Sequence, residues 1–479
     1  MNQPNVVFII ADQHRWDFMG YEDNGVTVTP HLNRLARTGT VFRTAYCNSP
    51  LCCPSRASIA AGRYGMNTGC YTNLHELPPG TPTFVQQLRQ SGYRTSVVGK
   101  THMEIHAYNS DLTAESHRQL MDSLGWDEIC EVSGNGMLRS GITCAYSQFL
   151  KAEGVFADVV RFYEKWHYFM EKAKGGDPSF FCHEWPLSEE YQETAFIGQR
   201  ALAWLQQRDR TEPFFLHLGF AGPHSPIEPF PTYLDLYRQR TETPAWGNDN
   251  PPDWLASARR GYRAMISQID HYVGKLYDCI ATQGDLDNTI FVYLADHGEM
   301  AGDHGLFGKT CFYEASMRVP LIVAGPGIQA QESGLLVEIL DIGKTICELC
   351  GVSPHALDQG QSLASLLRGQ TDTHRSTVYA EMGCDKMLRD ERYKLMWGAP
   401  ESDPRQLGRL HLDNPVNIPP SPYKLYDLWK DPHELNDLAA DDAHRHQLHS
   451  MMEKLLIRLN QNTQTQPNKD RGDYRPVRV

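Results

Sequence analysis

Val6 to Ala11 form an unbroken apolar run closed by Asp12, the pattern of a strand buried on both faces that turns polar at its carboxyl end. Runs of the same kind recur at Arg94 to Val98, Phe214 to Phe220, Thr289 to Ala295 and Val319 to Ala324, each β-branched or aromatic and bounded by Gly, Pro or Asp. Between them the apolar spacing becomes helical over Thr29 to Thr38, Ser55 to Ala61, Thr83 to Gln90, Ala195 to Gln207, Ser257 to Ala281 and Asp341 to Leu349. Strands alternating with helices predict an α/β fold, a large, mostly parallel mixed sheet sandwiched by helices. Ligands of such sheets gather beyond the carboxyl ends of the strands. That rule singles out Asp12 and the pair Asp296-His297.

After Arg375 the character changes. Val378 to Met382 and Tyr393 to Trp397 read as antiparallel strands and His444 to Asn460 as a closing helix, so a smaller C-terminal α+β domain is expected over 376–462, following a catalytic domain over 1–375. Residues 463–479 are polar, hold two prolines, and read as a tail. A chain of 479 residues exceeds what one hydrophobic core usually serves, in keeping with this division.

Composition narrows the function. Hydrophobic residues at 41% and charged residues at 22% are ordinary for a globular protein, and no stretch approaches the roughly 20 apolar residues that cross a bilayer, so no membrane partner is expected. With 45 Lys and Arg against 58 Asp and Glu, the net charge of −13 disfavours nucleic acid, while leaving room for a small anion held by a local cationic cluster. Met1-Asn2-Gln3-Pro4-Asn5 has no basic n-region or cleavage site and predicts a cytoplasmic protein. The twelve cysteines are scattered, which fits reduced thiols rather than a disulfide scaffold.

The most specific local signal is Cys52-Cys53-Pro54-Ser55-Arg56. As ordinary residues these would start a helix, with Pro54 in its first turn and Ser55 as a cap. Extended to Ala57-Ser58 and Gly62-Arg63, however, the segment resembles the signature of type I sulfatases in the alkaline phosphatase superfamily. The likeness runs from Asn5 to about Leu438 and is weakest between Ser110 and Tyr191.

The resemblance implies an alkaline phosphatase-like fold and a Cys52 oxidised to formylglycine by a formylglycine-generating enzyme. The aldehyde hydrate would offer one oxygen as nucleophile and keep a second hydroxyl whose deprotonation expels sulfate. The same resemblance places one divalent metal ion at Asp12, Gln13, Cys52, Asp296 and His297. Many sulfatases carry Asp-Asp and Asp-Asn at the two pairs, whereas Gln13 and His297 resemble the choline sulfatase and phosphonate monoester hydrolase branches. Oxygen ligands suit Ca²⁺ and an imidazole makes Mn²⁺ acceptable, so both ions stay open.

Gly99-Lys100-Thr101-His102, Pro223-His224-Ser225-Pro226 and Gly302-Asp303-His304-Gly305 to Lys309 resemble three further family elements. They imply Lys100 and Arg56 beside the diol, His102 as the base that releases sulfate, and His224 with Lys309 on the sulfate and leaving group. Asn73 stands where those two relatives place a substrate contact; as a plain residue it reads as a turn asparagine. The expected reaction is hydrolysis of an aryl or alkyl sulfate monoester by a homo-oligomer, dimer or tetramer. The rivals are a phosphonate monoester or phosphodiester hydrolase, whose members carry Tyr and Thr in place of Lys100 and His102, and a metal-binding pseudoenzyme with Cys52 unoxidised.

Other features read as structural. Cys347 and Cys350 have zinc spacing but sit in an apolar helical pattern without a second pair. The aromatic stretch that includes Tyr146, Phe149, Phe162, Tyr163, Trp166, Phe169, Trp185 and Tyr191 reads as core first and as a substrate-cavity wall second. Tyr313-Glu314, Arg318-Val319-Pro320 and Leu425 to Leu428 resemble structural segments of the family.

Overall fold

The computed structural model describes residues 3–104, 108–134, 136–173, 182–398 and 423–463. In chain order its strands are β1 (Asn5–Asp12), β2 (Gly39–Phe42), β3 (Ala45–Tyr46), β4 (Arg94–Gly99), β5 (Glu128–Glu131), β6 (Phe214–Pro223), β7 (Thr289–Ala295) and β8 (Arg318–Val319). They continue with β9 (Leu321–Ala324), β10 (Gln331–Ser333), β11 (Val337–Glu338), β12 (Val378–Met382), β13 (Asp385–Arg389), β14 (Tyr393–Trp397) and β15 (Tyr423–Asp427). Eight build the main sheet, in the order β10-β2-β9-β7-β1-β6-β4-β5. β1 runs parallel to both β6 and β7, and β4 runs parallel to β5 and β6. β9 is antiparallel to β2 and β7, which makes the sheet mixed.

Every residue of β1 is buried, and its side chains alternate between two cores. Val6, Phe8 and Ile10 join one, with Ile59, Phe84, Leu88, Ile342 and Ile346 from helices Cys52–Ala61, Phe84–Gln90 and Asp341–Leu349. Val7, Ile9 and Ala11 join the other, with Leu32, Leu35, Phe196, Leu205, Ile269 and Leu276 from helices Pro30–Thr38, Glu193–Gln207 and Trp254–Thr282. This is why the first apolar run does not alternate: both faces need apolar side chains, each worth about 1.5–3 kcal/mol when fully buried. Helix Phe84–Gln90 starts where Thr83 suggests, with a capping box between Thr83 and Gln86.

Two expectations need correcting. Val319 to Ala324 is not one strand, because Pro320 has no N–H to give to a ladder. Val319 ends β8, in a three-stranded sheet ordered β11-β3-β8, and Leu321 opens β9 in the main sheet. Ser55 is not a cap: the helix begins at Cys52, and the Ser55 hydroxyl donates to the Asp296 carbonyl at 2.5 Å.

The four-stranded antiparallel sheet β12-β13-β14-β15 carries the two strands expected there and two more. One face packs helix Arg445–Thr463 through Leu388, Leu395, Leu425, Met451 and Leu455, and the other joins the main core through Val378, Ala380, Met387 and Tyr426. Buried Lys394 of β14 reaches Glu314 at 3.0 Å and Glu434 at 2.8 Å, so charge as well as apolar contact fixes this sheet. Residues 464–479, most of the expected tail, lie outside the described residues, as do the side chains of Trp166 and Phe169. Of the remaining aromatic stretch, Tyr146, Tyr163 and Trp185 are buried in the core, while Phe149, Phe162 and Tyr191 pack against it. Cys347 and Cys350 are buried thiols of the opposite core. Among the described residues no helix is long and apolar enough to cross a membrane.

Where β4 meets β6 the backbones nearly touch. A Cβ on Gly219 would lie 2.1 Å from the Lys100 carbonyl oxygen, and one on Gly99, whose φ is +109°, would lie 2.2 Å from the Gly219 carbonyl oxygen. Lys100 N–H donates to that Gly219 oxygen at 2.8 Å, so the approach fixes where the chain leaves β4. Gly219→Ala is expected to destabilise the protein by about 1–3 kcal/mol, as overpacking against backbone does. A urea-denaturation midpoint equal to that of the parent would show that the strands yield.

Candidate active site

Four adjacent central strands, β7, β1, β6 and β4, deliver the candidate residues from their carboxyl ends. Asp296 and His297 follow β7, Asp12 ends β1, His224 follows β6, and Lys100 follows β4. The register between β1 and β6 shifts at Ala11/Asp12, an irregularity of the kind that re-aims a strand end. Gln13 takes the left-handed conformation at φ +66°. Cys52 comes from the start of its own helix, where the helix dipole favours an anionic side chain.

The side chains converge on the Cys52 sulfur. Lys309 Nζ lies 2.9 Å from Sγ, His297 Nε2 3.2 Å and Asp12 Oδ1 3.7 Å, and the His102 side chain also hydrogen-bonds it. Lys100 Nζ donates to Asp12 Oδ2 at 2.5 Å. Arg56 donates through Nε to Asp296 Oδ2 at 2.7 Å and through NH1 to the Lys100 carbonyl at 2.6 Å, and lies 3.4 Å from Asp12 Oδ2. Asp296 Oδ1 accepts the backbone N–H of Gln13 at 2.9 Å and of His297 at 3.0 Å.

The electrostatics follow from these contacts. Burial pushes the Cys52 thiol up, but Lys309, Lys100 and His297 outweigh it and hold the group well below its ordinary value. Burial and Cys52 push the Asp12 carboxyl up, and Lys100, His224 and Arg56 together bring it below the usual range. Position 52 is thus built to carry negative charge.

Asp12, Cys52, Asp296 and His297 each offer a ligand atom within 4.8 Å of the others, and all four are buried. Gln13 follows Asp12 in the chain. Its Nε2 is held by Glu299 Oε2, while its Oε1 is buried without a hydrogen-bond partner. Two carboxylates and an imidazole within 4.8 Å of one another, with an orphaned amide oxygen on the residue after Asp12, are a donor set suited to a divalent cation.

His224 sits half-buried with Nδ1 2.5 Å from the Ser225 carbonyl, close enough to Asp12 to lower its pKa. Asn73 Oδ1 accepts the Cys53 N–H at 3.0 Å, beside position 52 in the chain. Two acidic residues went unread in the sequence. Glu299 accepts the N–H groups of Ala301 at 2.9 Å and Gly308 at 2.5 Å besides binding Gln13, which ties the loop bearing Lys309 to the residue after Asp12. Its signal was its place three residues after Asp296. Glu131 closes β5, a strand without a legible period, and receives the Thr101 and His102 amides.

The family model described as Sulfatase matches residues 4–352. The chain belongs to the sulfatase family. A second model, N-sulphoglucosamine sulphohydrolase, C-terminal, matches residues 302–405 of this sulfatase. It is 27% identical to an arylsulfatase of Clostridium perfringens over 95% of this chain and 94% of that protein. To a choline-sulfatase of Rhizobium meliloti it is 26% identical over 92% of this chain and 83% of the other. Its fold is that of the phosphonate monoester hydrolase of Agrobacterium radiobacter, with a TM-score of 0.73 at 21% identity over 96% of each chain. It is equally that of an enzyme solved with its substrate D-glucosamine-2-N,6-O-disulfate, with a TM-score of 0.73 at 21% identity over 98% of this chain and 100% of that one.

Asp296→Asn removes one of the two carboxylates of this cluster and is expected to weaken divalent-cation binding more than about 10-fold. Isothermal titration of chelator-treated protein with Mn²⁺ or Ca²⁺ measures this, and equal affinity in the variant would exclude Asp296 as a ligand.

Proposed function

We propose that this sulfatase hydrolyses a sulfate monoester to an alcohol or phenol and inorganic sulfate, with Cys52 matured to formylglycine by a formylglycine-generating enzyme. The observation that supports this most directly is the convergence of Lys309, His297, His102 and Asp12 on one buried sulfur at a helix start. That sulfur stands in for the oxygens of a hydrated aldehyde, one of which attacks sulfur while the other later drives sulfate out. A dication held by Asp12, Gln13, Asp296 and His297, either Ca²⁺ or Mn²⁺, would polarise a sulfuryl oxygen and favour the ionised hydrate.

The protein's own groups divide the remaining work. Lys100 and Arg56 neutralise the two carboxylates and keep the position-52 side chain in an electropositive field. Lys309, half-buried and directed at position 52, meets the sulfuryl oxygens; with His224 it supplies the proton the departing alkoxide or phenoxide needs. His102, whose side chain hydrogen-bonds the sulfur, is the base for sulfate release. Lys100 and His102 also favour a sulfate over a phosphonate monoester, since the resembling phosphonate hydrolases lack both.

Sulfate and phenylphosphonate monoesters of one nitrophenol discriminate the substrate class. The sulfate is expected to be cleaved faster, and a faster phosphonate would overturn the assignment. The peptide containing residue 52 is expected to carry the mass of the aldehyde; a thiol mass after production with the generating enzyme, with no ester cleaved, would mark a pseudoenzyme. Lys309→Ala is expected to lower kcat/KM by about 10²–10⁴-fold, most for poor leaving groups. Equal losses across a series of phenols would remove Lys309 from the acid role.

A further inference from the structure

We infer that Glu131 is a positioning residue that holds the Thr101-His102 turn so that the His102 ring faces position 52. This rests on the reading of His102 as the base for sulfate release. Gly99, the last residue of β4, and His102, three residues on, adopt positive φ, +109° and +56°. For histidine the left-handed region costs roughly 1–3 kcal/mol and persists only where its surroundings impose it.

One carboxylate oxygen imposes it here. Glu131 Oε1 accepts the Thr101 N–H at 2.9 Å, the His102 N–H at 3.3 Å and the Thr101 hydroxyl. Glu131 itself is 2% exposed, at the carboxyl end of the neighbouring strand β5. Its other oxygen meets His117 Nε2 at 3.0 Å, and His117 Nδ1 lies 3.8 Å from Glu104. Burial works against charge on His117, but Glu131 and Glu104 raise it to about 9, so a cation backs the Glu131 carboxylate. The chain Glu104-His117-Glu131 thus ends on the backbone of the catalytic turn rather than on the reacting atoms.

The consequence is confined to one step. After attack, the position-52 carbon bears a sulfated oxygen and a hydroxyl. His102 takes the hydroxyl proton, the carbonyl re-forms, and the bond from that carbon to the sulfated oxygen breaks with its electron pair leaving on sulfate. A displaced ring slows this release and leaves the preceding attack intact.

The test uses matured enzyme and an aryl sulfate, with His102→Ala for reference. Glu131→Ala and the milder Glu131→Asp, too short to reach both amides, are expected to keep a burst of phenol per folded site while steady turnover falls about 10²-fold. Sulfate is then expected on the peptide containing residue 52, as in His102→Ala, and hydrogen exchange is expected to rise in the Gly99 to Glu104 segment. Glu131→Gln keeps an acceptor oxygen and is expected to recover to within about 10-fold of the parent. Should His102→Ala trap sulfate while Glu131→Asp shows the parent's ratio of burst to turnover, or unchanged exchange, Glu131 does not position the base. Should His102→Ala itself trap none, the base assignment and this inference fall together.

Discussion

Two carboxylates that never meet water govern the architecture of this sulfatase. Asp12 and Asp296 are both 0% exposed, and each would cost several kcal/mol to bury as an unpaired ion. Asp296 is matched by two backbone N–H groups and the Arg56 guanidinium, and Asp12 by Lys100 with Arg56 nearby. None of these partners is local in sequence to both acids. The charges can be satisfied only when β1, β4, β7 and the helix from Cys52 are assembled together, so the fold and the site are one constraint.

The sheet order meets that constraint economically. With β1 between β6 and β7, and β4 beyond β6, four neighbouring strands end on one side of the sheet. Side chains from residues 12, 100, 224 and 296 then need to span only the few ångströms between adjacent strand ends. The helix from Cys52 descends onto these ends, and Ser55 bonds the Asp296 carbonyl while Arg56 bonds its carboxylate. The pentapeptide therefore carries its own anchor: the residues after Cys52 fix the depth at which position 52 enters the site.

What could be read from the sequence follows the same physics. The central strands were legible because burial on both faces demands continuous apolar runs, as in Val6 to Ala11. Asp12, Asp296 and His297 were legible because they break such runs at their carboxyl ends. Short strands such as Glu128–Glu131 and Asp385–Arg389 were not, since charged residues at their ends hide any period and pairing in the sheet decides them. Pro320 was visible, but its effect, to divide one apolar run between two sheets, depends on partners far away in the chain. Glu131 and Glu299 were invisible as site residues because they act on backbone amides, and an isolated glutamate has no pattern that announces such a partner.

The net charge of −13 and the cationic groups around position 52 are compatible once distance is considered. Fields between exposed charges fade over about 8–10 Å at physiological salt, whereas groups buried together interact with little screening. Around position 52, Arg56, Lys100 and Lys309 already outnumber Asp12 and Asp296, before any dication is counted. Gln13, where many sulfatases carry Asp, adds no negative charge and so widens that excess. A net negative chain and a buried cationic cluster thus coexist in one molecule. The charge a ligand meets is therefore set by the few groups it displaces from one another, not by the sum over the chain.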